Sequence, residues 1–222
     1  MTSSSPAPWD ARLARRLVQP LVGSAVTPNQ LTTLRLVVGL AGAACFTRGT
    51  YGACNLGAVL ICLSNFLDHA DGELARLTGR SSRGGHVYDL VSDAVVTISL
   101  FVSVGIGIGA QRQIGGVLTP VFLGALAGAA IALIFFLRLR IEEHIGKAGT
   151  QQATLAGFET EDALYTLPLL TLFGATVPLL LVAAVLAPLF AIWVVIDYRR
   201  KMRIPVSQPR ERQERQPQTD PG

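Results

Sequence analysis

The chain has 222 residues, 50% of them hydrophobic and only 15% charged, where an ordinary soluble domain carries about 25% charged residues. With a mean hydropathy of +0.44, that balance excludes a typical water-soluble domain and points to a protein of the bilayer. The net charge of +4 does not indicate a nucleic-acid partner, because the basic residues flank apolar runs instead of interleaving with aromatics on one polar face.

In chain order, the first element is WDARLARRLVQPLV, which spaces Trp9, Leu13, Leu17 and Leu21 four apart with arginines between. This is the pattern of a short amphipathic helix lying in the headgroup plane. No uninterrupted apolar run follows these arginines, so a cleaved signal peptide is not expected. Six apolar segments come next, at about 31–48, 52–76, 86–109, 117–139, 162–176 and 178–197, each read as a membrane span of roughly 20 residues. Pro168 interrupts the fifth, and Pro178 and Pro188 start or bend the sixth. Cys45, Cys54 and Cys62 lie inside these segments without a CxxC pair, and read as small packing residues. From Ser207 onward the chain is charged, proline-containing and almost free of apolar residues, so it is expected to be disordered. The expected organisation is an N-terminal segment over 1–25, an all-α integral membrane bundle of six transmembrane helices over 26–203, and a cytosolic tail over 204–222.

Lysine and arginine set the expected orientation. With a cytosolic N-terminus, the inside collects Arg12, Arg15, Arg16, Arg76, Arg80, Arg83, Arg138, Arg140, Lys147, Arg199, Arg200, Lys201 and Arg203, and the outside keeps Arg48 and Arg112. Such asymmetry places both termini in the cytosol, with the cytoplasmic membrane as the host.

The informative stretch is NFLDHADGELARLTGRSSRGGHVYDLVSDAVV, residues 65–96. On a helix, Asp68, Asp71, Gly72, Ala75 and Arg76 fall within an arc of about 140°, and Gly85, Asp89 and Asp93 within about 80° on the next. The polar LTGRSSRG between them reads as a cytosolic hairpin, so two acidic stripes are expected to face each other near headgroup depth. An aspartate in the bilayer costs roughly 2.5–3.5 kcal/mol, and like charges repel, so four together call for a cation. Oxygen donors without a Cys or His pattern suit a hard divalent ion such as Mg²⁺ or Mn²⁺. Gly72 and Ala75 clear a slot along the same face, and Arg76 offers a forked cation suited to phosphate. Metal, arginine and slot together imply a nucleotide diphosphate.

This arrangement, Asp68-x2-Asp71-Gly72-x2-Ala75-Arg76-x8-Gly85-x3-Asp89-x3-Asp93, resembles the signature of the CDP-alcohol phosphotransferases, membrane enzymes of phospholipid synthesis. TPNQLTTLR, Thr27 to Arg35, resembles the opening of that family's first span, and the resemblance covers about residues 10–200. It implies transfer of a substituted phosphate from a CDP-linked donor, commonly CDP-diacylglycerol, to the hydroxyl of a small alcohol or phosphorylated polyol, with release of CMP. It also implies that Asp68, Asp71 and Asp89 hold metal, that Asp93 assists them and acts as base, and that Asp68, Asp71, Gly72, Ala75, Arg76 and Gly85 receive the CDP moiety. Family members are typically homodimers, and Gly124-x3-Gly128 beside Ala125 and Ala129 offers a small-residue helix face for a contact either between copies or within one bundle.

The acceptor is less legible. Arg138, Arg140, Lys147 and Arg199 are candidates to bind it if it carries a phosphate, although topology anchoring explains them as well. Glu159, Glu161, Asp162 and Tyr165 stand at the entry to the fifth span; the stretch resembles a segment of family members that handle inositol phosphates or other polar head groups, and capping of the helix N-terminus explains Glu161 and Asp162 as well. His69 and His86 sit beside the signature as interfacial fillers, and His144 is expected on a solvated loop. The rival reading is an acid-lined cation transporter, which predicts acids spread through the bilayer depth and gives Gly72, Ala75 and Arg76 no task.

Overall fold

The computed structural model describes residues 9–111, 116, 118–145 and 162–202, and every regular element among them is helical. Helix α1 runs Trp9–Val18 and passes through a 3₁₀ turn at Gln19–Leu21. Helix α2, Pro28–Phe46, begins with a capping box: the Thr27 side chain accepts from the Gln30 N–H, and the Gln30 side chain accepts from the Thr27 N–H. Pro28 at the first helical position completes the start signal.

Gly49, at φ 62°, turns the chain into α3, Tyr51–Thr78. A left-handed Gly79 ends α3, and Ser82 Oγ accepts from Gly85 N to cap α4, Arg83–Ala110. The expected hairpin is therefore four residues long, Gly79 to Ser82. Helix α5 spans Leu118–Ile145, α6 Asp162–Tyr165, α7 Leu167–Leu172 and α8 Thr176–Lys201.

Small residues set the close packing. A Cβ on Gly42 would lie 3.0 Å from the Gly57 carbonyl oxygen, and one on Gly57 would lie 2.7 Å from the Gly42 carbonyl oxygen, so α2 and α3 touch through backbone. Gly105, Gly124 and Gly128 meet the backbones of Pro120, Phe101 and Ile98, which lays α5 antiparallel on α4. Between these contacts Phe46, Ile61, Val104 and Leu180 are almost fully buried in one core. A second cluster joins Ala130, Ile134 and Leu137 of α5 to Ala191 and Val194 of α8.

The outer surface is apolar, with Val37, Val59, Phe122, Val185, Leu189 and Ile192 exposed. In water this would be an aggregation surface; in lipid it is the expected one.

Four of the described helices, α3, α4, α5 and α8, are long and apolar enough to cross a membrane, and their bounds lie within a few residues of the corresponding predicted segments. The other two predicted spans differ. The first is α2, whose 19 residues include Arg35 and a polar first turn and fall short of that apolarity. The fifth is divided at Thr166 into helices of 4 and 6 residues, because Pro168 at the start of α7 cannot donate to a continuing ladder.

These two pieces nonetheless follow α3 toward its N-terminus: Cys62 Sγ donates to Leu164 O, and Tyr51 Oη donates to Leu172 O.

Three further expectations are refined. Helix α1 exists, but Ala14 and Val18 face α3, packing with Ala70 and Leu74, while Leu13 and Leu17 remain exposed. Leu21 joins that cluster from the 3₁₀ turn. His144 lies in the last turn of α5 and not on a loop. Gly124 and Gly128 are used inside the chain against α4, so they carry no argument for a dimer. Gly124→Val is expected to force α4 from α5 and destabilise the detergent-solubilised protein by about 1–3 kcal/mol. Ala125→Val, on the exposed side, should leave the melting temperature unchanged.

Candidate functional site

Three helices build the site. Asp68 and Asp71 lie on α3, Asp89 and Asp93 on α4, and the two stripes face each other as their spacing requires. Between them stands a side chain from α2, Arg35, only 3% exposed. Its Nη1 lies 2.6 Å from Asp68 Oδ1 and 2.6 Å from Asp93 Oδ1. Its Nη2 donates to both Asp89 Oδ1 and the Asp89 carbonyl, each at 2.8 Å. Its Nε is 3.9 Å from Asp71 Oδ2 and has no hydrogen-bond partner. Asp71 is held instead by Thr32, one turn before Arg35, whose Oγ1 donates to Asp71 Oδ2 at 2.7 Å.

Exposure separates the four acids. Asp71 is the most enclosed, with a side chain 7% exposed, followed by Asp68 at 20%, while Asp89 and Asp93 reach 33% and 37%. The pair on α4 therefore faces whatever enters the site, and the pair on α3 forms its floor.

One guanidinium against four carboxylates leaves an excess of negative charge. Asp68, Asp71 and Asp89 can each present an oxygen such that the three atoms lie within 4.8 Å of one another. Oxygens on opposite sides of a Mg²⁺, Mn²⁺ or Ca²⁺ ion are separated by about twice a 2.0–2.6 Å ligand bond, so the spacing and the all-oxygen donor set fit a hard divalent cation. Asp93 lies outside that trio, although it shares Nη1 of Arg35 with Asp68.

Around the acids, a Cβ on Gly72 would meet only the flexible end of Arg76, at 3.7 Å, so the slot along α3 is open. Arg76 is exposed and bonded to Glu73 Oε1 at 2.8 Å; a ligand phosphate would compete with that partner. Gly85 sits beside the Asn29 side chain, where a Cβ would be 3.1 Å from Asn29 Oδ1, and Thr33 Oγ1 is 2.9 Å from Tyr88 Oη. The start of α2 is thus a third wall beside Gly85.

Of the proposed acceptor residues, Arg138 stacks over Phe190 at 5.6 Å and Arg140 over Phe136 at 5.4 Å, and Arg199 is exposed at the end of α8. Lys147, Glu159 and Glu161 lie outside the described residues.

The residues that sequence reasoning left out of the site are Arg35 and Thr32. The available signal was an arginine within an otherwise apolar segment, a position that requires a partner at membrane depth.

A chain with four helices long and apolar enough to cross a membrane, and with three carboxylates converging between two of them, is an integral membrane protein that keeps a polar cluster among its apolar helices. The family model for CDP-alcohol phosphatidyltransferase matches residues 25–197, and the chain belongs to that family. It is also similar to a protein of Rubrobacter xylanophilus named bifunctional IPC transferase and DIPP synthase, at 31% identity over 127 residues. That alignment covers 57% of this chain and 27% of the relative, so the chain spans about a quarter of the relative's length.

Asp71→Asn should weaken divalent binding while Thr32 still anchors the side chain. Mn²⁺ at about 100 times its dissociation constant is expected to stabilise the native protein by roughly 2.7 kcal/mol, and the variant by clearly less. Thermal melting in EDTA and in Mn²⁺ reads the difference.

Proposed function

We propose that this chain transfers a substituted phosphate, phosphatidyl from CDP-diacylglycerol, to the hydroxyl of a small polar alcohol or phosphorylated polyol, releasing CMP. The observation that carries this reading is the convergence of Asp68, Asp71 and Asp89 from α3 and α4 within 4.8 Å, on a chain that belongs to the CDP-alcohol phosphatidyltransferase family.

In this reading Asp68, Asp71 and Asp89 hold Mg²⁺ or Mn²⁺ at the donor's pyrophosphate, with Asp93 beside them. A bound divalent ion supplies neutralisation of the charge that develops on the departing CMP. Gly72 and Ala75 leave room for the CDP moiety, Arg76 turns from Glu73 to a phosphate oxygen, and Gly85 admits the nucleotide beside α2. Asp93 takes the proton of the acceptor hydroxyl. The freed oxygen bonds to the β-phosphorus, the bond from that phosphorus to the bridging oxygen breaks, and CMP leaves with its electron pair.

Two features of Asp93 support its role: it is the most exposed of the four acids, and Arg35 donates to its Oδ1, which fixes the carboxylate in place. Orientation by a fixed partner is what a positioned base needs.

The membrane arrangement follows from the ends of the helices. Helix α5 finishes at the carboxylate end of the bundle, and α8, which pairs alongside it in the same direction, begins at the other. Between them α6 and α7 run along α3 from Cys62 to Tyr51, which this reading takes as the return pass. Counting α2, which runs from Thr32 beside Asp71 to Phe46 beside Gly107, and the segment holding α6 and α7, this reading takes six passes, with α1 at the headgroup plane.

The lysine and arginine asymmetry puts the carboxylate end and both termini at the cytosolic face, where a lipid donor arrives from the leaflet and a soluble acceptor from water. Arg138 and Arg140, on leaving the Phe190 and Phe136 rings, would receive an acceptor phosphate together with Lys147 and Arg199, and the working unit would be a homodimer. The name of the Rubrobacter relative, which joins IPC transferase with DIPP synthase, agrees with transfer chemistry and leaves the acceptor to experiment.

Purified protein given CDP-diacylglycerol, Mg²⁺ or Mn²⁺ and a panel of alcohols is expected to release CMP with at least one acceptor, and EDTA should abolish release. Asp93→Asn is expected to slow turnover by about 10²–10⁴-fold while CDP binding persists. Absence of CMP with every acceptor, together with cation flux in liposomes, would instead establish the transporter reading.

A further inference from the structure

Arg35 makes the acid cluster a different object from a bare set of metal ligands. It is nearly fully buried, and its place is fixed from several directions. Ser64 Oγ donates to the Arg35 carbonyl at 2.9 Å. One turn on, α2 is clasped at Gly39, where a Cβ would lie 2.7 Å from Ser64 Oγ and 2.8 Å from Val96. A side chain on so confined a segment cannot swing out to solvent when an ion arrives.

Its contacts are also distributed in a particular way. The guanidinium takes Oδ1 of Asp68, Oδ1 of Asp89 and Oδ1 of Asp93, and Thr32 takes Oδ2 of Asp71. Each of the four carboxylates thus keeps a second oxygen that neither residue engages.

We propose that Arg35 is a resident countercation: it ties one oxygen each of Asp68, Asp89 and Asp93 so that the cluster stays assembled without divalent metal, while the remaining oxygens stay free to receive it. Like charges held within a few ångströms in a poorly hydrated site repel strongly. A fixed cation at their centre relieves that repulsion, and its planar fork fixes the carboxylates in position.

Arg35 is in this sense a positioning residue. It also weakens the field an incoming ion feels, so the site exchanges metal more readily than four uncompensated carboxylates would. The inference rests on the metal-binding reading of the cluster and does not require any particular donor or acceptor.

The test is thermal melting of the full chain in detergent, in EDTA and in saturating Mn²⁺, for the native protein, Arg35→Gln and Arg35→Lys. Arg35→Gln should lower the melting temperature in EDTA by roughly 5–10 °C, and Mn²⁺ should return at least half of that loss, giving the variant a larger metal-induced shift than the native protein. Arg35→Lys, which keeps the charge without the fork, should lose less in EDTA. Adding Asp89→Asn to Arg35→Gln removes one repelling carboxylate and should recover part of the loss without metal.

Equal losses in EDTA and Mn²⁺ would show Arg35 to be an ordinary structural tie and overturn the proposal, as would no loss at all. If Arg35→Gln gives no folded protein, the same comparison is made on Arg35→Lys, where a loss that Mn²⁺ does not reduce has the same force. A native melting temperature that Mn²⁺ leaves unmoved overturns the proposal together with the metal site. CMP release plays no part in these measurements, so failure here is distinct from failure of the transferase reading.

Discussion

The organising constraint of this molecule is that charge enclosed among apolar helices must be compensated on the spot. Four aspartates and one arginine meet where α2, α3 and α4 converge, and each helix supplies what the others lack. Helices α3 and α4 bring the acids, and α2 brings the guanidinium and the Thr32 hydroxyl. Removing one partner from such a network leaves an unpaired charge, a loss of about 3–5 kcal/mol in buried pairs. The same constraint sets the relative rotation of the three helices, because only one combination of faces brings these groups together.

This constraint also explains which parts were legible in sequence. The acids of α3 and α4 could be placed on facing stripes because a helix converts spacing directly into direction, and the hairpin at Gly79 carries its own left-handed glycine signal. The long apolar helices announced themselves by composition. Arg35 was visible only as part of the TPNQLTTLR opening, since nothing within α2 says which acids it faces: that is a relation between segments 33 or more residues apart in the chain. The cost of an arginine in an apolar run was the clue, and it points to the existence of a partner without identifying it.

The remaining differences have local causes of the same kind. Leucine spacing in α1 marked an apolar stripe, but the face that packs on α3 is the one bearing Ala14 and Val18, where small and branched side chains let the helix approach closely. The exposed Leu13 and Leu17 then remain for another apolar surface, which in a bilayer is lipid. In the fifth segment the apolar run is broken into two short helices, because Pro168 sets where regular hydrogen bonding restarts. Gly124-x3-Gly128 was correctly a contact motif, yet its partner is the neighbouring helix of the same chain.

The glycines are distributed unevenly along the bundle, and this has a mechanical consequence. Backbones are in direct apposition at Gly42 with Gly57 and at Gly49 with Gly107, whereas an added Cβ at Gly72 would meet only the tip of Arg76, and one at Gly84 would meet nothing nearby. The three helices are therefore clamped at one extremity and roomier at the other, like a clothes-peg held at its spring. Backbone contact at the clamp keeps the register of the jaws, and the open face at Gly72 leaves room beside the carboxylates.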